Sequence, residues 1–198
     1  MDAAMEQAKE SFKIEADCLY EQFKYIDEKE FTRAIDALAT AERIGASGCG
    51  HSGIACQHFA HLMCCIERPA RFISPAEAVH GAMGFIKKGD IMLLASRGGK
   101  TKELLPIMEV CKEKQATVIA LTENINSPLA KGADIVIAMH VSRETDKYNS
   151  QGTTSFIVLS AIFDALQSAL VEKTNYQNEQ FALIHPGGAV GERLNQEK

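Results

Sequence analysis

The chain has 198 residues, a length that fits one α/β domain with a continuous apolar core. Hydrophobic residues make up 46% and charged residues 24%, an ordinary globular composition that excludes a disordered chain; no apolar run of bilayer-crossing length is apparent. The net charge is −5 and no Lys/Arg-rich run occurs, so neither nucleic acid nor a membrane is expected as partner, whereas a small phosphorylated ligand, which needs only local donors, stays open.

Met1–Glu10 is polar and acidic and lacks the layout of a signal peptide, which points to the cytoplasm. The six cysteines, Cys18, Cys49, Cys56, Cys64, Cys65 and Cys111, follow no disulfide-scaffold spacing and agree with that reading.

Residues 3–40 read as helical, because Phe12, Ala16, Leu19, Phe23 and Ile26 recur at three- and four-residue steps and Ile35 and Leu38 begin a second stretch. Residues 1–40 are therefore an N-terminal helical arm, which packs either on the same domain or, the preferred reading, on a second subunit, and residues 41–198 are the domain proper. From Ile44 short apolar runs alternate with helical patterns. The runs are Ile44–Ser47, Ala70–Ile73, Ile91–Ala95, Thr117–Leu121 and Ile135–Ala138. Three of them are rich in Ile, Val or Leu with little polar alternation, as expected of strands buried on both faces of a parallel sheet, and Ile44–Ser47 is the weakest of the five. Helices are predicted over 54–66, 76–86, 101–114, 127–132, 153–173 and 178–185. Alternating βα units imply a doubly wound, five-stranded parallel sheet flanked by helices.

In such sheets ligands bind beyond the carboxyl ends of the strands. Three small-residue turns fall there. The first is Gly48-Cys49-Gly50-His51-Ser52-Gly53, the second Ser96-Arg97-Gly98-Gly99-Lys100-Thr101 and the third Gly152-Thr153-Thr154-Ser155. Each leads into a helix, whose first N–H groups are unpaired donors. Gly50, Ser52, Gly53, Ser96, Arg97, Gly98, Lys100, Thr101, Thr153, Thr154 and Ser155 are thus the candidate phosphate-binding residues. Helix capping alone is the competing reading for the Ser/Thr clusters. His58, His61 and Cys65 share one helix face, but structural metal sites recruit ligands from two segments, so packing is preferred and no metal is expected.

The segment Ser96-x-Gly98-Gly-x-Thr101-x-Glu103 resembles the signature Ser-x-Ser-Gly-x-Thr-x-Glu of sugar isomerase (SIS) domains. Pro75-Ala-Glu-Ala-Val-His80-Gly-Ala-Met-Gly84 and Phe181-Ala-Leu-Ile-His185-Pro-Gly-Gly-Ala-Val-Gly191 resemble runs of the D-arabinose 5-phosphate isomerases. The resemblance implies a flavodoxin-like SIS fold and interconversion of D-ribulose 5-phosphate and D-arabinose 5-phosphate, supplying the eight-carbon acid of lipopolysaccharide or capsule. It implies no cofactor and a homo-oligomer, tetramer or dimer, with shared active sites. The sequence departs from the family where His51 replaces Lys, Arg97 replaces Asn, Gly98 replaces Ser, Lys100 replaces Glu and Ala82 replaces Asp. It ends without the CBS modules that many members carry, as a single-domain form would.

Aldose–ketose isomerisation needs a base and an acid near neutral pKa and donors for an enediolate. The candidates are Glu144 and His185 for proton transfer, His80 for ring opening or hydroxyl recognition and His51 for polarisation. The added cations Arg97 and Lys100 suggest a feedback ligand from the downstream sugar-nucleotide pathway that bears phosphate and carboxylate. The alternatives are an isomerase for another sugar phosphate and a non-catalytic SIS regulator.

Overall fold

Five strands, β1 (Ile44–Gly48), β2 (Ala70–Phe72), β3 (Ile91–Ala95), β4 (Thr117–Thr122) and β5 (Ile135–Ala138), form one parallel sheet in the order β2-β1-β3-β4-β5 in the computed structural model, which describes residues 2–196. This is the flavodoxin-like doubly wound order, and its direction reverses between β1 and β3. The expected fold class is borne out. All five residues of β3 are buried, and its two faces serve different cores. Ile91, Leu93 and Ala95 join Ile119, Leu121, Phe59 and Phe163 on one side, while Met92 and Leu94 join Val118, Ala120, Ile107 and Cys111 on the other. A strand that must bury both faces carries no polar alternation.

The first core is covered by α2 (Glu28–Thr40), α3 (Gly50–Cys64) and α7 (Thr154–Thr174), the second by α4 (Pro75–Ala78), α5 (Leu105–Lys114) and α6 (Pro128–Gly132). The rings of Phe59 on α3 and Phe163 on α7, both fully buried, lie 4.7 Å apart. Burying such a ring stabilises by about 2–3 kcal/mol. By length and composition α7 could cross a bilayer, so the expectation that no such stretch exists is corrected. Its apolarity has a local cause: Val158, Leu159, Ile162, Phe163, Leu166 and Leu170 are buried in the core beneath α1 (Ala3–Phe23), α2 and α3.

Several boundaries differ from the sequence reading. The arm breaks at residues 24–27, where Asp27 caps α2 by accepting from the N–H groups of Lys29 and Glu30. The expected helix 76–86 is one turn of α4 and a 3-10 turn over Ala82–Phe85, because Gly81 takes φ +104 between them. The expected helix 101–114 starts with a 3-10 turn at Lys102–Leu104, and Pro106 then sits in the first turn of α5, where its missing N–H costs nothing. After α8 (Asn178–Ile184) comes a further helix, α9 (Gly188–Gln196), not foreseen in the sequence.

Candidate active site

The turn between β1 and α3 brings two glycines into contact. A Cβ on Gly53 would lie 2.6 Å from the Gly48 carbonyl oxygen, so the helix N-terminus approaches the strand end closely only because both residues lack side chains. Cys49 occupies the N-cap position of α3 and forms no side-chain capping bond, so among the described residues the first-turn N–H groups at Gly50, His51 and Ser52 are not capped by a side chain. The Gly50 end of this turn borders a groove of about 430 Å³ lined by Gly48, Cys49, Gly50, Gly53, Ser74, Pro75 and Glu103 among others. Its size suits a small metabolite, and it opens at the carboxyl ends of β1 and β2, beside the point where the strand order reverses.

Glu103 is the site residue that the sequence reading left without a role. Its signal was present as the last residue of the Ser96–Glu103 motif. Exposed on the 3-10 turn before α5, it places a carboxylate in the groove beside Cys49. The Cys49 thiol is pushed up from its ordinary value by burial and then by the Glu103 charge. Next to it the 96–101 turn is held by its own hydroxyls: Ser96 Oγ and Thr101 Oγ1 are 2.7 Å apart, and the Gly99 N–H donates to Ser96 Oγ. Gly99 has φ +64 and packs against Ser127, with no room for a side chain. Gly98 and Lys100 are exposed at the tip.

Arg97 leaves this turn in another direction. Its Nη1 donates to Glu144 Oε1 at 2.6 Å, its Nε to Glu123 Oε2 at 2.8 Å and its Nη2 to the Val141 carbonyl at 3.2 Å. The guanidinium is thus matched internally by two carboxylates rather than offered to a ligand. Glu144 is buried, with its second oxygen accepting from the Ser155 N–H at 3.1 Å and the Thr153 hydroxyl at 3.3 Å. The position that an anion would take at the N-terminus of α7 is filled by this carboxylate. Thr154 is fully buried, and among the described residues its hydroxyl has no hydrogen-bond partner. Of the three turns expected to cradle a phosphate, the one at α7 is thus occupied by Glu144, whereas the one at α3 borders the groove.

The four histidine and glutamate candidates are not gathered in one subunit. His51 is exposed on the α7 side of α3, where a second groove of about 360 Å³ is lined by Glu15, His51, Ile54, Gly152, Thr153, Phe156 and Ile157. Ile54 and the first turn of α3 separate it from the Glu103 groove. His80 is exposed just beyond α4. His185 closes α8, which packs near the carboxyl ends of α3 and α7 around a cavity lined by Cys65, Ile66, Val171, Tyr176 and Phe181, with Gln180 donating to Glu67. That is the opposite end of the sheet from the glycine turn. His61 lies 3.6 Å from the Cys65 thiol, and among the described residues no group of three or more His, Cys, Asp or Glu side chains is arranged to hold a metal.

The SIS domain family model matches residues 37–169. The chain belongs to the SIS domain family. Within that family it is similar to the arabinose 5-phosphate isomerase KpsF of Escherichia coli, at 36% identity over 172 residues, 86% of this chain and 54% of that protein. It is also similar to the arabinose 5-phosphate isomerase KdsD of Pseudomonas aeruginosa, at 37% identity over 166 residues, 83% of this chain and 51% of that protein. This SIS chain thus spans about half the length of the curated relatives it matches. Among solved structures, a candidate sugar-phosphate isomerase of Listeria monocytogenes superposes with a TM-score of 0.91 at 38% identity, covering 94% of this chain and all of that one. An Escherichia coli CFT073 protein in complex with arabinose 5-phosphate superposes at 0.86 with 26% identity, covering 94% and 100%.

Proposed function

We propose that the chain is an aldose–ketose isomerase that interconverts D-ribulose 5-phosphate and D-arabinose 5-phosphate through a cis-enediol, supplying the eight-carbon acid of lipopolysaccharide or capsule. The observation that carries this reading is the groove in which the uncapped N-terminus of α3 faces the Glu103 carboxylate. It offers neutral donors to hold a phosphoryl group at one side and a carboxylate to act as base at the other. The similarity to relatives named arabinose 5-phosphate isomerase selects the five-carbon substrate.

In this reading the phosphate lies on Gly50, Ser52 and Gly53 and against Ser96, Gly98 and Thr101. Glu103 moves the proton between C1 and C2, and no cofactor takes part. His185 of a second copy completes the acid/base pair, His80 opens the arabinose ring or recognises a hydroxyl, and His51 polarises from the neighbouring groove. Glu144 serves by its charge and its place rather than as the base, since both its oxygens are taken. A feedback ligand finds fewer cations than the sequence suggested: Arg97 is matched internally, which leaves Lys100 as the exposed cation of the turn.

Incubation of the protein with ribulose 5-phosphate in deuterated water tests the proposal. Arabinose 5-phosphate carrying deuterium at C2 is the expected product. Binding of the sugar phosphate without turnover would instead favour the regulator.

A further inference from the structure

Residues 139–153, between β5 and α7, form a fifteen-residue connection without a helix or strand. Connections of that length inside a compact domain are uncommon and tend to be functional. Their backbone polar groups must find partners outside regular structure. Here those partners come from two sides, and one side is the N-terminal arm.

From outside, α1 contacts the connection through the buried Gln22 and Cys18 and the exposed Gln7. Gln22, 6% exposed, spans one residue of it: its Nε2 donates to the Ala138 carbonyl at 3.2 Å and its Oε1 accepts from the His140 N–H at 2.6 Å. The Cys18 thiol lies 3.6 Å from the His140 carbonyl, and Gln7 Nε2 donates to the Thr145 carbonyl at 2.9 Å. The His140 ring is stacked on Tyr25 at 4.1 Å and stands 3.3 Å from Glu21. From inside, Arg97 binds Glu144 and the Val141 carbonyl, while Glu123 Oε1 accepts from the Val141 N–H. At its far end the connection delivers Glu144 to α7 and lays Gly152 against the His51 ring, too close for a side chain.

We propose that α1 and Arg97 are the two jaws of a clamp on residues 139–153, with Gln22 and Arg97 as positioning residues that hold Glu144 and the Gly152–Thr153 turn at the edge of the site. The arm is then a working part of the site in its own subunit. The catalytic half of this proposal rests on the isomerase reading above; the structural half does not.

The test uses the whole chain with Gln22→Leu, which keeps the volume and removes both hydrogen bonds, and with Arg97→Lys and Arg97→Gln. Two quantities are read: amide hydrogen exchange of peptides covering 139–153 against those covering β1, β3 and β4, and steady-state isomerase kinetics. In Gln22→Leu exchange over 139–153 rises roughly tenfold with the sheet unchanged, as expected when the half-buried Ala138 carbonyl and His140 N–H lose their partner. The kcat falls by about tenfold while KM changes by less than about threefold. Arg97→Lys retains more kcat than Arg97→Gln, since its ammonium keeps a positive charge between Glu123 and Glu144, although it cannot reach both carboxylates and the carbonyl as the guanidinium fork does. The mild Gln7→Ala loosens the same peptide to a smaller degree and covers the case in which Gln22→Leu does not fold. Exchange that rises uniformly across the sheet, or local loosening with kcat unchanged, overturns the clamp. Should the wild type fail to turn over ribulose 5-phosphate, the isomerase reading falls, and the exchange of 139–153 alone decides the clamp.

Discussion

Gly53 passes so close to Gly48 that an added Cβ would sit 2.6 Å from the Gly48 carbonyl oxygen and 3.1 Å from its carbon. The obstacle is backbone, which cannot turn aside as a side chain can. Gly53→Ala is therefore expected to push α3 away from β1, at a cost of about 1–3 kcal/mol in urea denaturation. Binding of the sugar phosphate should weaken as well, because the donors of the first turn move with the helix. A variant with wild-type stability would mean that the turn is looser than its packing implies.

Glu103 and Glu144 separate chemistry from architecture. Glu103 is exposed and lines the groove, so Glu103→Gln is expected to change stability by no more than about 0.5 kcal/mol. Its kcat should fall by roughly a hundredfold or more, the usual contribution of a positioned general base. Glu144 is buried between Arg97 and the first turn of α7, so Glu144→Gln is expected to lower stability by about 2 kcal/mol. Thermal unfolding of the two variants beside their initial rates separates these outcomes. Loss of stability in the Glu103 variant would reverse the assignment.

What could be read in advance followed the range of the interaction. The strands were most legible at β3 and β4, whose buried positions are rich in Ile, Val and Leu, and least at β1, where Ile-Gly-Ala-Ser-Gly is buried on both faces but mostly small. The turns were legible because a close approach such as Gly53 on Gly48 leaves glycine in the sequence. The stripe of α1 that the periodicity picked out, with Phe12 and Phe23 more than three-quarters exposed, is not the face on the domain, where Ile14, Cys18 and Gln22 pack instead. A buried glutamine that serves backbone groups leaves no apolar signal at its position. Arg97 was expected to face a phosphate, because its partners Glu123 and Glu144 lie 26 and 47 residues away and no local pattern announces them.

Asp146 shapes the connection after Glu144. Its carboxylate accepts from the N–H groups of Gln151, Ser150 and Tyr148, and the Gln151 bond above all holds its pKa below the usual carboxylate value. A carboxylate with a depressed folded pKa contributes stability that is present in full above its unfolded pKa, about 3.9. That contribution is lost as pH falls through the folded value. Asp146→Asn should therefore loosen residues 146–151 at neutral pH and make their amide exchange less sensitive to acid below about pH 4. Equal acid sensitivity in the two proteins would show that the turn does not depend on the charge.

His185 cannot join the Glu103 groove in its own subunit. α3 begins at that groove and runs fifteen residues, about 22 Å, to the end where α8 packs. If a second copy supplies the imidazole, as proposed, defects in Glu103 and in His185 lie on different chains of one site. Glu103→Gln and His185→Asn are then each expected to be nearly inactive alone. Mixed after dissociation and reassembly, they should recover part of the activity, since some sites receive an intact Glu103 from one chain and an intact His185 from the other. The exposed stripe with Phe12, Tyr20 and Phe23 gives such copies an apolar surface to share, and Phe12→Ser with Phe23→Ser should shift the protein toward monomer in sedimentation while lowering its activity. Mixtures that stay as inactive as their components, in a preparation whose exchange of subunits is verified by mass, would remove His185 from the site.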